Sequence, residues 1–307
     1  MAETYNVVVV GCGPAGMTAG VYLARAQLTC LVLTQDIGGQ AAWGPEIENY
    51  LGYRMISGVD LVTKFHEHLR TFPQIHQEFG QVTRVRALDG GFEVEGDGAV
   101  YRGRSAIYAA GRAPRKLQVP GETEYLGLGV SYCSVCDGPL FKGKSVVVAG
   151  GGNAGFAAAV QMTSIASQVT VVEVMPRCPA EAAYKRRLDR EQNVEILTGT
   201  RITEIIGDAS GVQAVRLQDV ATGEERELPA QGIFVEIGSV PNSGPVADLV
   251  KRTPGGEIEI NCSCETSYPG LFAAGDVTNV VAKQIIVAAG EGAKAALSAV
   301  EYLVRQG

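Results

Sequence analysis

Cys133 and Cys136, in the stretch YCSVCDG (132–138), stand two residues apart, and Asp137 follows the second directly. Three chemistries fit that spacing. The thiolates could ligate a metal, sit as an inert buried pair, or make and break a disulfide. A structural zinc needs four tetrahedral ligands, usually supplied as two pairs. The one candidate second pair is Cys262-Ser-Cys264, which follows EIEI (257–260) and is not the usual knuckle spacing. Free cysteine is commonly a core residue, which is the plain reading of the pair. Cys-x-x-Cys is also short enough to close a disulfide, and such motifs depress a thiol pKa. The motif alone leaves the three open.

A second chemistry is carried by glycine. NVVVV (6–10) is a short apolar, β-branched run of the kind found in a buried parallel strand. Gly11, Gly13 and Gly16 follow in Gly-x-Gly-x-x-Gly spacing, then MTAGVYLARAQ reads as a helix and LTCLVL (28–33) as the next strand. Glycines at these places permit the tight turn and let the backbone approach a pyrophosphate at the helix N-terminus. The pattern recurs 139 positions later. SVVVAG (145–150) is the strand, Gly150, Gly152 and Gly155 make the turn, and FAAAVQMTSIAS and VTVVE (169–173) continue the unit. Two fingerprints in strand-to-helix context imply two dinucleotides, or one site and one relic.

The elements that must hold these residues form two domains, one inserted in the other. GLFAAGD (270–276) is a strand near the C-terminus ending in Gly275-Asp276. An aspartate at the carboxyl end of such a strand reaches a ribityl or ribose hydroxyl, so the first domain resumes after the second has finished. GRAPR (111–115) and GSVPNSGP (238–245) read as the two linkers. The expected fold is α/β, two Rossmann-like, doubly wound three-layer domains. Residues 1–115 and 245–307 would form one domain and 116–244 the other.

Composition narrows the class. A chain of 307 residues with 46% hydrophobic and 19% charged residues has a sizeable core and is far from disorder. Its net charge is -7 and it has no Lys/Arg run, so nucleic acid and anionic membranes are not expected partners. The start MAETYNVVVVG lacks a basic n-region, and no apolar stretch approaches ~20 residues, so a cytoplasmic protein is expected. Seven cysteines argue against a disulfide scaffold. Cys12, Cys30 and Cys178 are expected as small fillers, and burial is the expected state of both Cys262 and Cys264. His66, His68 and His76 have no ligand spacing and read as surface residues.

GCGPAG, GGQ (38–40), IENY (47–50), CSVCDG, GGGNAG, GIFVEIGSVPN (232–242), LFAAGD and KQIIVAAGEGAKAA (283–296) together resemble the low-molecular-weight thioredoxin reductases, over nearly the whole chain. CDGPLFKGK and KQIIVAAGEGAKA are nearest in wording to the flavoprotein portion of the alkyl hydroperoxide reductase flavoenzymes. Those carry an added N-terminal thioredoxin-like module, and a chain opening on its first strand is expected to lack it. The resemblance implies FAD in the outer domain, a nicotinamide cofactor in the inserted one, a homodimer, and rotation of the inserted domain in turnover.

The resemblance also weights the dithiol toward redox. It implies that Cys136 faces the flavin as the charge-transfer thiolate and that Cys133 attacks the substrate disulfide. Asp137 is the natural proton donor, a role the resemblance supports; its plain alternative is a turn aspartate before Gly138. For the flavin, Gly11, Gly13 and Gly16 would hold the pyrophosphate and Asp36 would lie near the adenosine ribose, where Gln35 could serve equally. Gln40, Asn49, Gly275 and Asp276 match positions near the flavin. Lys283, Gln284 and Ile285 open the last helix, whose positive end would face the flavin pyrimidine. Trp43, the sole tryptophan, either covers the flavin or packs. Where NADPH-using relatives carry His-Arg-Arg-x-x-x-Arg, this chain reads Glu173 to Pro179, with Val174, Met175 and Pro179 in place of the arginines. Glu173, 18 residues past Gly155, suits a ribose 2′-hydroxyl and would repel a phosphate. NADH is therefore expected over NADPH, with Arg177 as the one nearby cation.

The expected activity is transfer of electrons from NADH through FAD and the dithiol to a thioredoxin-like protein. A peroxiredoxin or glutaredoxin partner, a ferredoxin donor, and a non-enzymatic redox-sensing module are the competing readings. The intact second turn argues against ferredoxin, and intact Cys133, Cys136, Asp137 and Asp276 argue against a relic.

Overall fold

The structure is a computed structural model that describes residues 4–43 and 46–306. The chain divides into two compact units. The first comprises the described residues of Met1–Trp43, Tyr50–Ala113 and Val240–Gly307. The second comprises those of Gly44–Asn49 and Pro114–Ser239.

The first unit opens with β1 (Thr4–Cys12), α1 (Pro14–Arg25), β2 (Cys30–Ile37), α2 (Gly58–Arg70), β3 (Ile75–Phe79), β4 (Val82–Leu88), β5 (Gly91–Gly96) and β6 (Ala99–Tyr108). The sheet order is β3-β2-β1-β6-β5-β4. β3, β2, β1 and β6 run parallel, and β5 returns antiparallel on the first half of β6. β1 is apolar throughout its centre because both of its faces are covered. Val7 and Val9 pack with Met17, Leu23 and Ile107 on the helical side, whereas Val8 and Val10 pack with Val85, Phe92 and Val94 on the other. Each such side chain contributes roughly 1.5–3 kcal/mol of burial.

The chain then leaves through β7 (Arg112–Pro114) and builds the second unit. Its elements are β8 (Val130–Ser131), α3 (Ser134–Asp137), β9 (Ser145–Ala149), α4 (Asn153–Thr163), β10 (Gln168–Val172), α5 (Ala182–Leu188) and β11 (Val194–Leu197), then β12 (Thr200–Asp208), β13 (Gly211–Asp219), β14 (Glu225–Pro229) and β15 (Gly232–Val235). β11-β10-β9-β15-β8 form a parallel sheet, and β12-β13-β14 an antiparallel one. Val146 and Val148 face α4 through Phe156 and Met162; Val147 and Ala149 face Ile202, Val212 and Val215 of the antiparallel sheet. Both units therefore have three layers, with helices on one face of the parallel sheet and antiparallel strands on the other.

β16 (Ser239–Pro241) leads back and pairs with β7. Besides the short excursion at Gly44–Asn49, the chain crosses between units at 113/114 and 239/240, where the linker reading expects 115/116 and 244/245. β17 (Leu271–Ala273) then joins the second half of β6 in parallel, and α6 (Ile285–Arg305) completes the first unit. α6 lies against α1 at backbone distance: a Cβ on Gly292 would stand 2.0 Å from the Ala15 carbonyl oxygen. Among the described residues no helix is long and apolar enough to cross a membrane.

Candidate active site

The redox motif occupies one turn of helix between two anchored flanks. β8 ends at Ser131, and the Tyr132 hydroxyl donates to Glu122 Oε1 at 2.8 Å. Cys133 caps α3, and its Sγ accepts the Cys136 N–H at 3.2 Å. Downstream, Gln161 of α4 donates to the Ser134 carbonyl at 3.1 Å. A Cβ on Gly138 would meet Met162 Sδ at 3.2 Å, so α3 is seated directly on α4. Cys133 and Cys136 form a disulfide with Cα atoms 5.3 Å apart.

Asp137 is half-buried, and its Oδ2 accepts the Ser131 hydroxyl at 2.6 Å. Its Oδ1 is buried with no hydrogen-bond partner among the described residues. Desolvation raises its pKa, and the Ser131 bond opposes that rise. A carboxyl that resists ionisation beside a disulfide has the character of a proton donor.

α4 also begins at the second glycine turn. Gly150 has φ +116, and a Cβ there would fall 2.5 Å from the Glu236 carbonyl oxygen. A Cβ on Gly155 would fall 1.9 Å from the Gly150 carbonyl oxygen, so helix and strand touch through backbone alone. Glu173, just past β10, is 8% exposed. Its carboxylate accepts the Gly151 N–H at 2.6 Å and the Met175 N–H at 2.9 Å. It is thus fixed against the second glycine turn. Val174 and Met175 beside it are 54% and 55% exposed, and Arg177 is exposed.

The first turn repeats this geometry. Gly11 has φ +103, with a Cβ placed 2.4 Å from the Ala109 carbonyl oxygen, and a Cβ on Gly16 would lie 1.9 Å from the Gly11 carbonyl oxygen. Gly275 reaches the start of α1, where its Cβ would stand 3.0 Å from Ala15 Cβ. The structure therefore brings Gly11, Gly13, Gly16, Gly275 and Asp276 together. Asp276 is raised by burial and drawn back by Lys283 and Arg112. Lys283, lowered by burial, donates to the Thr278 carbonyl at 2.6 Å. Gln284 caps α6 and Ile285 starts it.

Asp36 lies near Cys12 of the first turn, and its Oδ1 accepts the Gly39 N–H at 2.9 Å. Gln40 donates to the Arg112 carbonyl at 2.5 Å. Asn49 is exposed and groups with the second unit, whereas the other expected flavin-side residues belong to the first. Trp43 is exposed.

The two turns fit pyrophosphates. Gly13 and Gly152 are the N-caps of α1 and α4, and neither helix has a side-chain cap or an acidic residue in its first turn. A Cβ on Gly152 would meet nothing within 4 Å, and one on Gly13 only the Gly38 carbonyl oxygen at 3.9 Å. Open space over uncapped first-turn N–H groups suits an anion.

Two expectations need correction. Cys264 is buried but Cys262 is exposed, because Cys262 sits at the tip of a turn closed by Cys264 N–H donating to the Asn261 carbonyl at 3.0 Å. His66 is half-buried, 2.7 Å from Gln77 Oε1, because α2 lays it against β3; His68 and His76 are exposed. Cys12, Cys30 and Cys178 are buried, as expected of fillers.

Three residues went unread in the sequence. Glu291 of α6 is 5% exposed and accepts the Gly275 N–H at 2.7 Å, which fixes the Gly275-Asp276 turn. Its signal was an acid between two glycines in an apolar helix. Glu236 follows β15; burial pushes its pKa up to about 7, with Ser134 drawing it down. Ser131, two residues before Cys133, carried no signal beyond its position.

Residues 5–292 match the family model described as pyridine nucleotide-disulphide oxidoreductase. The chain is 41% identical over 306 residues to the alkyl hydroperoxide reductase F subunit of Pseudomonas putida, and 40% over 307 residues to that of Escherichia coli. Each match takes in 99% of this chain and 59% of the relative, so the chain spans about three-fifths of their length. Among solved structures, thioredoxin reductase from Streptococcus pyogenes superposes with a TM-score of 0.94 at 35% identity, covering 99% of this chain and 100% of that one. A thioredoxin reductase from Giardia duodenalis gives 0.91 at 30% identity, covering 98% and 99%. The paired glycine turns, the closed Cys133–Cys136 disulfide and these likenesses lead to one conclusion: the chain belongs to the pyridine nucleotide-disulphide oxidoreductase family.

Proposed function

We propose that the protein is a thioredoxin-reductase-like flavoenzyme that carries electrons from NADH, through FAD, to the Cys133–Cys136 disulfide and on to a disulfide of a thioredoxin-like protein. The observation that carries this reading is the closed Cys133–Cys136 pair beside a half-buried Asp137 whose carboxyl desolvation raises above its ordinary pKa. The first unit (residues 1–115 and 245–307 on the linker reading) would hold FAD and the second the nicotinamide nucleotide. Bound flavin would supply two-electron exchange between the nicotinamide and the disulfide.

The remaining work belongs to the chain's own residues. Gly11, Gly13 and Gly16 admit one pyrophosphate, with Asp276 for a flavin hydroxyl. Asp36, Gln40, Asn49, Gly275, Lys283, Gln284 and Ile285 complete the proposed flavin contacts. Gly150, Gly152 and Gly155 admit the other pyrophosphate. Glu173 offers its carboxylate to a ribose 2′-hydroxyl, and a 2′-phosphate there would meet a fixed negative charge. Once the pair is reduced, the Cys136 N–H directed at Cys133 Sγ favours a thiolate on Cys133, the sulfur proposed to attack the partner. Exchange then proceeds through a mixed disulfide.

A peroxiredoxin-directed role is the second reading, favoured by the identity of 41% and 40% to the two alkyl hydroperoxide reductase chains. A homodimer and a cytoplasmic location belong to the proposal as well. Anaerobic stopped-flow mixing of the yellow protein with NADH and, separately, NADPH tests the donor. Fast bleaching of the flavin by NADH and slow bleaching by NADPH is expected. No bleaching by either, with dithionite still effective, would overturn the donor assignment and return attention to ferredoxin.

A further inference from the structure

Ser131 is 3% exposed and closes β8 at the foot of the redox helix. Its Oγ accepts the Cys133 N–H at 3.0 Å and donates to Asp137 Oδ2 at 2.6 Å, with the Cys133 carbonyl oxygen at 3.3 Å. A hydroxyl has one proton to give. The carboxyl oxygen and the carbonyl compete for it, and the shorter contact goes to the carboxyl. One buried side chain is thus bonded to both the first cysteine and the acid.

The two oxygens of Asp137 are consequently unequal. Oδ2 is held by Ser131, while Oδ1 is withdrawn from solvent and has no partner among the described residues. A buried polar oxygen without a partner is destabilising, and in a native site it calls for a reason. A proton resting on Oδ1 supplies one. It turns the orphan acceptor into a donor, available when opening of the disulfide creates a thiolate.

We infer that Ser131 is a positioning residue that divides the work of the Asp137 carboxyl, anchoring Oδ2 so that Oδ1 is the atom from which the proton leaves. This rests on the reading of Cys133–Cys136 as a working disulfide with Asp137 as its acid. In the step concerned, two electrons originating from a reduced nicotinamide nucleotide, which is oxidised, break the S–S bond. The bond would open to two thiolates. One takes the proton from Oδ1 and becomes a thiol, the other stays a thiolate, and Asp137 becomes a carboxylate. The Ser131 hydroxyl already donates to Oδ2 and stabilises the charge that forms.

The test uses the flavin-loaded protein and three variants: Ser131→Ala, Ser131→Thr and Asp137→Asn. After anaerobic mixing with NADH, samples are quenched with N-ethylmaleimide at set times, and alkylated Cys133 and Cys136 are counted by mass spectrometry. Ser131→Ala is expected to slow disulfide opening ~10- to 100-fold, a size in keeping with a misplaced proton donor. Flavin bleaching by NADH should be unchanged, and a solvent deuterium effect should grow on the slowed step. Ser131→Thr, which keeps the hydroxyl, should recover a rate within about threefold of the parent on the same argument. Ser131→Ala within about twofold of the parent, alongside a slow Asp137→Asn, would overturn the inference while leaving Asp137 as the acid. A fast Asp137→Asn would overturn the acid assignment itself, and this inference with it. Ser131→Cys, close in volume but a weak donor, carries the same test if the alanine variant loses its flavin.

Discussion

The redox pair and Glu173 can each be tested by substitution. Cys136→Ser should abolish disulfide reduction while the protein stays yellow, because Cys136 contributes a sulfur to the pair and belongs to the second unit rather than to the flavin turn. Steady-state assay with a disulfide substrate and the flavin spectrum check this; retained turnover would sink the flavin-side assignment. Glu173 also has a structural role. It secures the Gly151 and Met175 N–H groups, so its replacement must keep a hydrogen-bond acceptor. Glu173→Gln combined with Val174→Arg and Met175→Arg should therefore raise kcat/KM for NADPH relative to NADH by ~10- to 100-fold, since removing a like charge and adding two opposite ones is of the order of several kcal/mol before screening. An unchanged ratio would place selectivity elsewhere.

At the scale of the element, the two strand-turn-helix units show why the glycines within a fingerprint are not equally replaceable. Gly16→Ala drives a Cβ to 1.9 Å from a carbonyl oxygen, so α1 must move off β1. A loss of several kcal/mol and of flavin is expected, read as a lowered thermal midpoint and colourless protein. Gly152→Ala meets open space in an extended backbone, at φ -80. It should leave the midpoint nearly unchanged and weaken NADH binding by several-fold, measured by equilibrium titration, because its methyl enters the room left for the pyrophosphate. These turns were legible in the sequence because sterics admit no other residue at Gly11, Gly16, Gly150 and Gly155. The strand cores were legible for the same kind of reason, since a sheet covered on both faces demands an unbroken apolar run. Ser131, Glu236 and Glu291 were not. Each acquires its partner through packing: Glu291 meets Gly275 only because α6 crosses the start of α1, and no local pattern encodes that crossing. Cys262 is exposed, against expectation, because its accessibility is set by the turn that separates it from Cys264.

Over the whole molecule, buried carboxyls set the response to pH. Asp137, Glu236, Asp276 and Glu291 are all raised by burial. A carboxyl raised in the fold contributes stability that is fully present below its unfolded pKa and is lost as pH climbs through its folded one. For Glu236 the window runs from about 4.5 to about 7. Glu236→Gln should match the parent near pH 4.5 and exceed it by an amount of order 1–3 kcal/mol at about pH 8. Thermal midpoints across that range check this, and parallel curves for parent and variant would refute it. The contrast among the free thiols has a practical side. Cys12, Cys30, Cys178 and Cys264 are buried with raised pKa values, and Cys133 and Cys136 are locked together in the oxidised state. Cys262 is then the single exposed thiol among the described residues. A maleimide dye should tag the unmodified protein at one defined point, a ready-made handle for fluorescence on the unit that does not carry the redox pair.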